Sequence, residues 1–304
     1  MGHVFGPVPS RRLGRSLGVD LVPHKTCTYD CLYCQVGCTT HNTLERKEWV
    51  PLEEVTRDLA AKLDTHPDYV TLSGSGEPTL YSRIGELIDR IREMTDTPVA
   101  LITNGSLLWR PELRRELMKL DLVLPSLDAA DETMFRRVNR PHEALSFEQV
   151  LGGLIDFRRE FAGKYWLEVF LLAGLTDTPA EVSKLAACAK RIGPDKVQLN
   201  TVTRPPAEDF ATPVSPERMV EFAAMFDPPA EVIAGVPRER DAELTSTSRD
   251  AVLEMLRRRP CSLDDVVAGL DLHRTEAVKL LAQLEGRGEV AESRVGRVVY
   301  YRAL

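Results

Sequence analysis

Three cysteines within eight residues, Cys27-Thr28-Tyr29-Asp30-Cys31-Leu32-Tyr33-Cys34, constrain this chain more than any other feature. The whole chain has six cysteines, so half of them fall in this one stretch. They follow an apolar, strand-like run at residues 17–22. Soft thiolates at C-x3-C-x2-C spacing suit zinc or an iron–sulfur cluster. Structural zinc takes four ligands, and Cys38, at a further x3 spacing, is a candidate fourth. Three thiolates on a four-iron cluster instead leave one iron open to a substrate or cofactor. Spacing alone leaves both readings open.

Clustered thiols acting as metal ligands fit a reducing compartment, where disulfides are rare. Cys188 and Cys261 stand alone in helix-like patterns and read as buried apolar filler. The N-terminus lacks an apolar signal core. Gly6 breaks the myristoylation pattern, and no apolar run reaches membrane-spanning length. These features predict a cytoplasmic protein with no membrane partner. The net charge of −7 provides no global basic field for nucleic acid. The 304 residues suffice for a large domain and a small one.

Beyond the cysteines, hydrophobic periodicity alternates between strand and helix. Strands are expected at residues 69–72, 99–103, 122–128, 167–172 and 196–200, after a first at 17–22. Helices are expected at 51–63, around Ile84 to Ile91, and at 111–120, 147–161 and 179–191. Six strands alternating with helices describe a parallel sheet with crossover helices. In such folds the loops after the strands build the site. Those loops hold the cysteines, Gly74-Ser75-Gly76-Glu77, Asn104-Gly105, Ser126-Leu127-Asp128, residues 174–177 and residues 200–203.

Residues 1–16 read as a loop-like basic segment, and residues 17–235 as the main domain. Residues 236–245 read as a charged linker, and residues 246–304 as a separate module. There, helices at 248–258, from Ser262 and at 275–287 precede a hairpin at 290–301. Three helices and a hairpin resemble a winged helix–turn–helix. Its third helix would present His273, Arg274 and Lys279 to nucleic acid. Residues 245–304 nevertheless carry ten Lys and Arg against nine Asp and Glu, without the basic face of a DNA reader. The linker predicts a module separable from chemistry that lies wholly before residue 204.

The cysteine motif resembles the signature of the radical S-adenosylmethionine (SAM) superfamily, and the later loops match its other motifs in order. The resemblance covers about residues 17–203. It implies an α/β fold, a partial (β/α)6 TIM-like barrel. It implies a [4Fe–4S] cluster on Cys27, Cys31 and Cys34, whose open iron is chelated by SAM. An electron from a flavodoxin- or ferredoxin-like donor then cleaves SAM to methionine and a 5′-deoxyadenosyl radical. Tyr33 occupies the aromatic position near the adenine. The loop Gly74, Ser75, Gly76, Glu77 resembles the Gly-Gly-Glu motif that meets the SAM amino group, with a serine between its glycines. Asn104, Ser126 and Asp128 resemble positions near the cluster, the SAM carboxylate and the ribose. Residues 136–141 could hold an anion or form an exposed charged loop.

Pro9-Ser10-Arg11-Arg12-Leu13-Gly14 together with Cys34-Gln35-Val36-Gly37 looks loosely like wyosine-base synthases, which modify tRNA guanosine. Those enzymes carry further cysteines before the motif, and none precedes Cys27 here. RNA or another macromolecule is therefore one possible substrate class. The rival class is a metal-sensing regulator, with zinc or an iron–sulfur centre coupled to the winged helix.

Overall fold

The computed structural model describes residues 3–10, 12–203, 206–234, 249–270, 272, 277, 280–281, 284–296 and 298–304, without the side chains at 8 and 9. The strands are β1 (Val4–Ser10), β2 (Gly14–Val19), β3 (Thr26–Cys27), β4 (His41–Asn42), β5 (Tyr69–Leu72), β6 (Val99–Thr103), β7 (Leu122–Pro125), β8 (Lys164–Leu171), β9 (Lys196–Thr201), β10 (Glu231–Val232), β11 (Cys261–Ser262), β12 (Val290–Val295) and β13 (Val298–Ala303). The helices are α1 (Leu52–Ala60), α2 (Ile84–Met94), α3 (Pro111–Glu116), α4 (Glu132–Val138), α5 (Phe147–Glu160), α6 (Pro179–Ile192), α7 (Pro216–Ala223), α8 (Arg249–Arg258) and α9 (Leu263–Gly269).

The main sheet runs β1-β2-β5-β6-β7-β8-β9-β10. Every pairing from β2 to β10 is parallel, and β1 lies antiparallel on the β2 edge. Among the described residues no pairing joins the two ends, so the sheet is open. The expected strand–helix alternation holds, and β5 and β6 have the expected bounds.

Strand alternation decides which residues reach the site. On one face Val70, Leu72, Val99, Leu101, Val123, Tyr165, Leu167, Val169 and Leu171 join the large core shared with the helices. On the other face Ala100, Leu122 and Leu124 form a small cluster with Leu13, against which Tyr69, Ile102 and Trp166 pack. Leu13 belongs to the β1–β2 turn, so this turn closes the N-terminal end of the inner face. Continuing along the strands, the same inner face carries Asn104, Ser126 and Asp128. The apolar layer at one end thus gives way to polar groups at the carboxyl ends.

Three expectations are corrected. Residues 4–10 form a strand rather than loop, because prolines are tolerated where an edge strand needs no donor. The pairing register shifts between Phe5 and Val8, as this interrupted sequence requires. Residues 132–138 form α4, capped by the Asp131 carboxylate accepting from Met134 N at 2.9 Å. Arg136 on this helix pairs with Glu132, and Arg140 just beyond it pairs with Glu208 and Asp30. Cys261 lies in a strand and not a helix, although it is fully buried as expected of filler. Cys188 is buried on α6.

At the C-terminus, β11, β13 and β12 form a three-stranded sheet. A second core joins it to α8, α9 and helical residues including Ala277, Leu281 and Leu284. Ser262 starts α9 through a reciprocal capping box with Asp265. His273, Arg274, Lys279 and the expected linker at 236–245 lie outside the described residues.

Candidate functional site

The cysteine loop is pinned from two sides. On one, Lys25 N donates to Ser75 O at 2.8 Å and Glu77 N to Thr26 O at 3.1 Å. On the other, Asp30 N and Leu32 N donate to Asn139 O and Val138 O, each at 3.0 Å. The loop after β5 and the end of α4 therefore set the positions of Cys27, Cys31 and Cys34.

The Gly-Ser-Gly-Glu loop meets this stretch at backbone distance. A Cβ on Gly76 would stand 1.9 Å from Thr26 O, and one on Gly74 would stand 2.3 Å from the Asp20 carboxylate. Protein occupies the space left by both missing side chains. Gly76→Ala is therefore expected to destabilise the fold by about 1–3 kcal/mol, read as a lower denaturant midpoint.

Glu77 is buried beneath the cysteines. Its Oε1 accepts from Thr79 N at 3.0 Å, Thr79 Oγ1 at 2.6 Å and Thr103 Oγ1 at 2.6 Å. Its Oε2 accepts from Asn104 N at 2.8 Å. Burial raises its pKa despite these four donors. Asn104, held in this way, turns its side-chain amide to Thr28 Oγ1 at 2.7 Å and to Cys27 Sγ at 3.6 Å.

A second amide reaches a second cysteine. Asn139 Nδ2 lies 3.5 Å from Cys31 Sγ and 2.9 Å from Asp128 Oδ2. Asp128 also accepts from Phe170 N at 3.2 Å and from the Tyr33 hydroxyl. The Tyr33 ring stacks on Phe170 with centroids 3.9 Å apart, so one ring face and the hydroxyl are both held. Backbone N–H groups of Thr28 and Tyr29 face Cys27 Sγ, and those of Val36 and Gly37 face Cys34 Sγ. Side-chain amides thus reach the Cys27 and Cys31 sulfurs, and backbone N–H groups lie near Cys34.

These donors do not keep the free thiols acidic. Burial and then the Glu77 carboxylate push Cys27 up to about 12. Burial and then Asp128 raise Cys31, and burial raises Cys34. Thiolates here require a compensating cation, which a coordinated metal supplies. The donor set therefore fits thiolates on a metal centre, with N–H groups aimed at sulfur. Among the described residues no three His, Cys, Asp or Glu side chains gather around a single-ion position. Cys38 is exposed and its Sγ faces Ala207 O at 3.9 Å.

Ser126 is placed by backbone bonding, with its N–H on Thr103 O at 3.1 Å and a bridge to Glu168. Sequence reasoning missed Glu168, which pairs with Arg12 from the β1–β2 turn and accepts from Asn200 Nδ2 at 3.3 Å. A lone carboxylate in an apolar strand was its only sequence signal. Asn139 was also missed as a cysteine partner, since it sat inside a run that read as charged loop.

Residues 21–187 match the sequence profile of the Radical SAM superfamily. The chain belongs to that superfamily of enzymes. A UPF0026 protein of Methanocaldococcus jannaschii is 38% identical over 75% of this chain and 72% of its own length. A UPF0026 protein of Helicobacter pylori strain J99 is 32% identical over 99% of this chain and 97% of its own. A Brachyspira hyodysenteriae protein named GTPase Obg is 37% identical over 98% of this chain, which spans only 45% of that relative. The fold is shared with a radical SAM methyltransferase from Sphaerobacter thermophilus, with a TM-score of 0.54 and 18% identity over 72% of this chain and 66% of that one. It is also shared with Streptococcus suis SuiB bound to S-adenosylmethionine, with a TM-score of 0.54 and 15% identity over 71% and 49% of the two chains. No described helix of this radical SAM protein is long and apolar enough to cross a membrane.

Proposed function

We propose that Cys27, Cys31 and Cys34 hold a [4Fe–4S] cluster whose fourth iron takes SAM. The observation that carries this is the convergence of the Asn104 and Asn139 side-chain amides on the Cys27 and Cys31 sulfurs, in one loop with Cys34. With a cluster and SAM bound, the chemistry supplied is one-electron cleavage of SAM to methionine and a 5′-deoxyadenosyl radical. The chain's own groups position and insulate that chemistry. Tyr33, fixed by Phe170 and Asp128, offers an aromatic wall to the adenine. Gly74, Ser75, Gly76 and Glu77 form the loop toward the amino group. Asn104, Ser126 and Asp128 supply polar groups at the strand ends for the carboxylate and ribose. The electron comes from a flavodoxin- or ferredoxin-like donor, and the C-terminal module is a winged helix that helps to select the substrate.

Anaerobic reconstitution tests this reading. Iron and sulfide near four per chain, and release of 5′-deoxyadenosine on reduction with SAM, are expected. Stoichiometric zinc with no iron uptake would overturn it. Asn139→Leu removes the donor to Cys31. Hydrogen bonds to sulfur favour the more negative reduced state. Its loss should lower the cluster potential by on the order of tens of millivolts at unchanged iron content. A redox titration followed by EPR checks this.

A further inference from the structure

Asp20 directly follows β2 on the inner face, and its carboxylate is shared between two parts of the chain. Oδ1 accepts from Ser75 N at 3.0 Å, and Oδ2 accepts from Ser75 Oγ at 2.6 Å. Oδ2 also accepts from Arg258 at 3.1 Å, although Arg258 is 238 residues away at the end of α8. Both side chains are largely shielded, with exposures of 13% for Arg258 and 12% for Asp20. The guanidinium lies 4.2 Å from the Phe5 ring centroid on β1 and 3.5 Å from Glu254 one turn back on α8. Glu254 in turn approaches Lys62, whose ammonium donates to Val4 O at 2.8 Å.

The same module touches the far side of the sheet. The buried Tyr300 on β13 donates its hydroxyl to Thr203 O, just past β9. Strands β2 and β9 are separated in the sheet by β5, β6, β7 and β8. One module therefore engages residues beyond both strands and spans the open side of the sheet. This differs from the separable module that the charged linker suggested.

We propose that Arg258 is a positioning residue for the Gly74–Glu77 loop, acting through Asp20, so that seating of the C-terminal module completes the cofactor site. The physical reason is local. Asp20 holds Ser75 by two hydrogen bonds, and the guanidinium at 3.1 Å orients that carboxylate as their acceptor. Without Arg258, the shielded carboxylate loses its cation and turns toward water, and Ser75 loses its anchor. Any macromolecule that shifts the module then acts on the loop through this relay.

The SAM part of this inference rests on the function proposed above, whereas the loop part does not. The test uses the full chain with Arg258→Ala, with Arg258→Gln, which retains a stem against Phe5, and with Arg258→Lys, which retains the charge. In metal-free protein, hydrogen exchange at the Ser75 amide should accelerate roughly tenfold in the Ala and Gln variants and less in the Lys variant. In reconstituted protein, SAM affinity by equilibrium dialysis should fall about tenfold in the Ala and Gln variants at wild-type iron content, with partial recovery in the Lys variant. Unchanged Ser75 exchange in both the Ala and Gln variants would overturn the relay. Faster exchange with unchanged SAM affinity would overturn the positioning role. If wild-type protein takes up iron but not SAM, or neither, the cofactor reading fails, and the exchange measurement still decides the relay.

Discussion

Replacing Cys27, Cys31 or Cys34 with Ala is expected to abolish cluster binding and SAM cleavage, whereas Cys38→Ala should leave both near wild type. The Asn104 and Asn139 amides reach the Cys27 and Cys31 sulfurs, and at all three thiols burial and carboxylates disfavour an uncompensated thiolate. Removing one leaves two anchors for a centre that needs three from the protein. Cys38 is exposed, with only a long contact to Ala207 O, so its loss removes little. Iron and sulfide analysis after anaerobic reconstitution, with the EPR signal of the reduced protein, measures all four variants. Loss of iron from Cys38→Ala would point to a four-thiolate site and away from an open iron.

Glu77→Ala should produce the second largest effect, and it should appear before any metal is added. Four donors converge on this buried carboxylate, from Thr79 twice, Thr103 and Asn104. The substitution leaves all of them without their acceptor and opens a cavity beneath the cysteine loop. Individual unsatisfied buried groups cost about 1–3 kcal/mol, and the local contributions are not additive, so a total of about 4 kcal/mol is expected. That is a large share of a typical domain stability of about 5–15 kcal/mol. Urea unfolding of the metal-free protein should show it as a lower midpoint. Glu77→Gln keeps one acceptor oxygen and turns an N–H2 toward another donor, so it should fall between Ala and wild type. Equal stability for all three proteins would mean that the carboxylate is not the hub of the β5, β6 and cysteine loops.

Much of the scaffold can be read locally. The strands at residues 69–72 and 99–103 and the cap at Ser262 follow from side-chain periodicity and short-range hydrogen bonding. Helix α4 carried a readable signal, since Asp131 precedes apolar Met134, Phe135 and Val138 at helical spacing. The arginine-rich end of that helix outweighed it. Strand β1 was hidden for a different reason. Its prolines argue against a central strand, and only its place at the sheet edge removes the objection.

By itself, the sequence determined which residues are candidates for metal and cofactor binding and their order along the chain: three thiols at fixed spacing, then polar and glycine residues at successive strand ends. Such information is local, because ligand spacing and strand period need only neighbouring residues. The tertiary structure alone decided which groups support those residues. Asn139 reaches Cys31 across 108 positions, and Arg258 reaches Asp20 across 238. Gly76 must be glycine because the Thr26 carbonyl fills the space of a side chain. These contacts depend on strand order and on how the C-terminal module is seated. Both result from burying apolar faces collectively, so no local pattern encodes which distant polar groups are brought together.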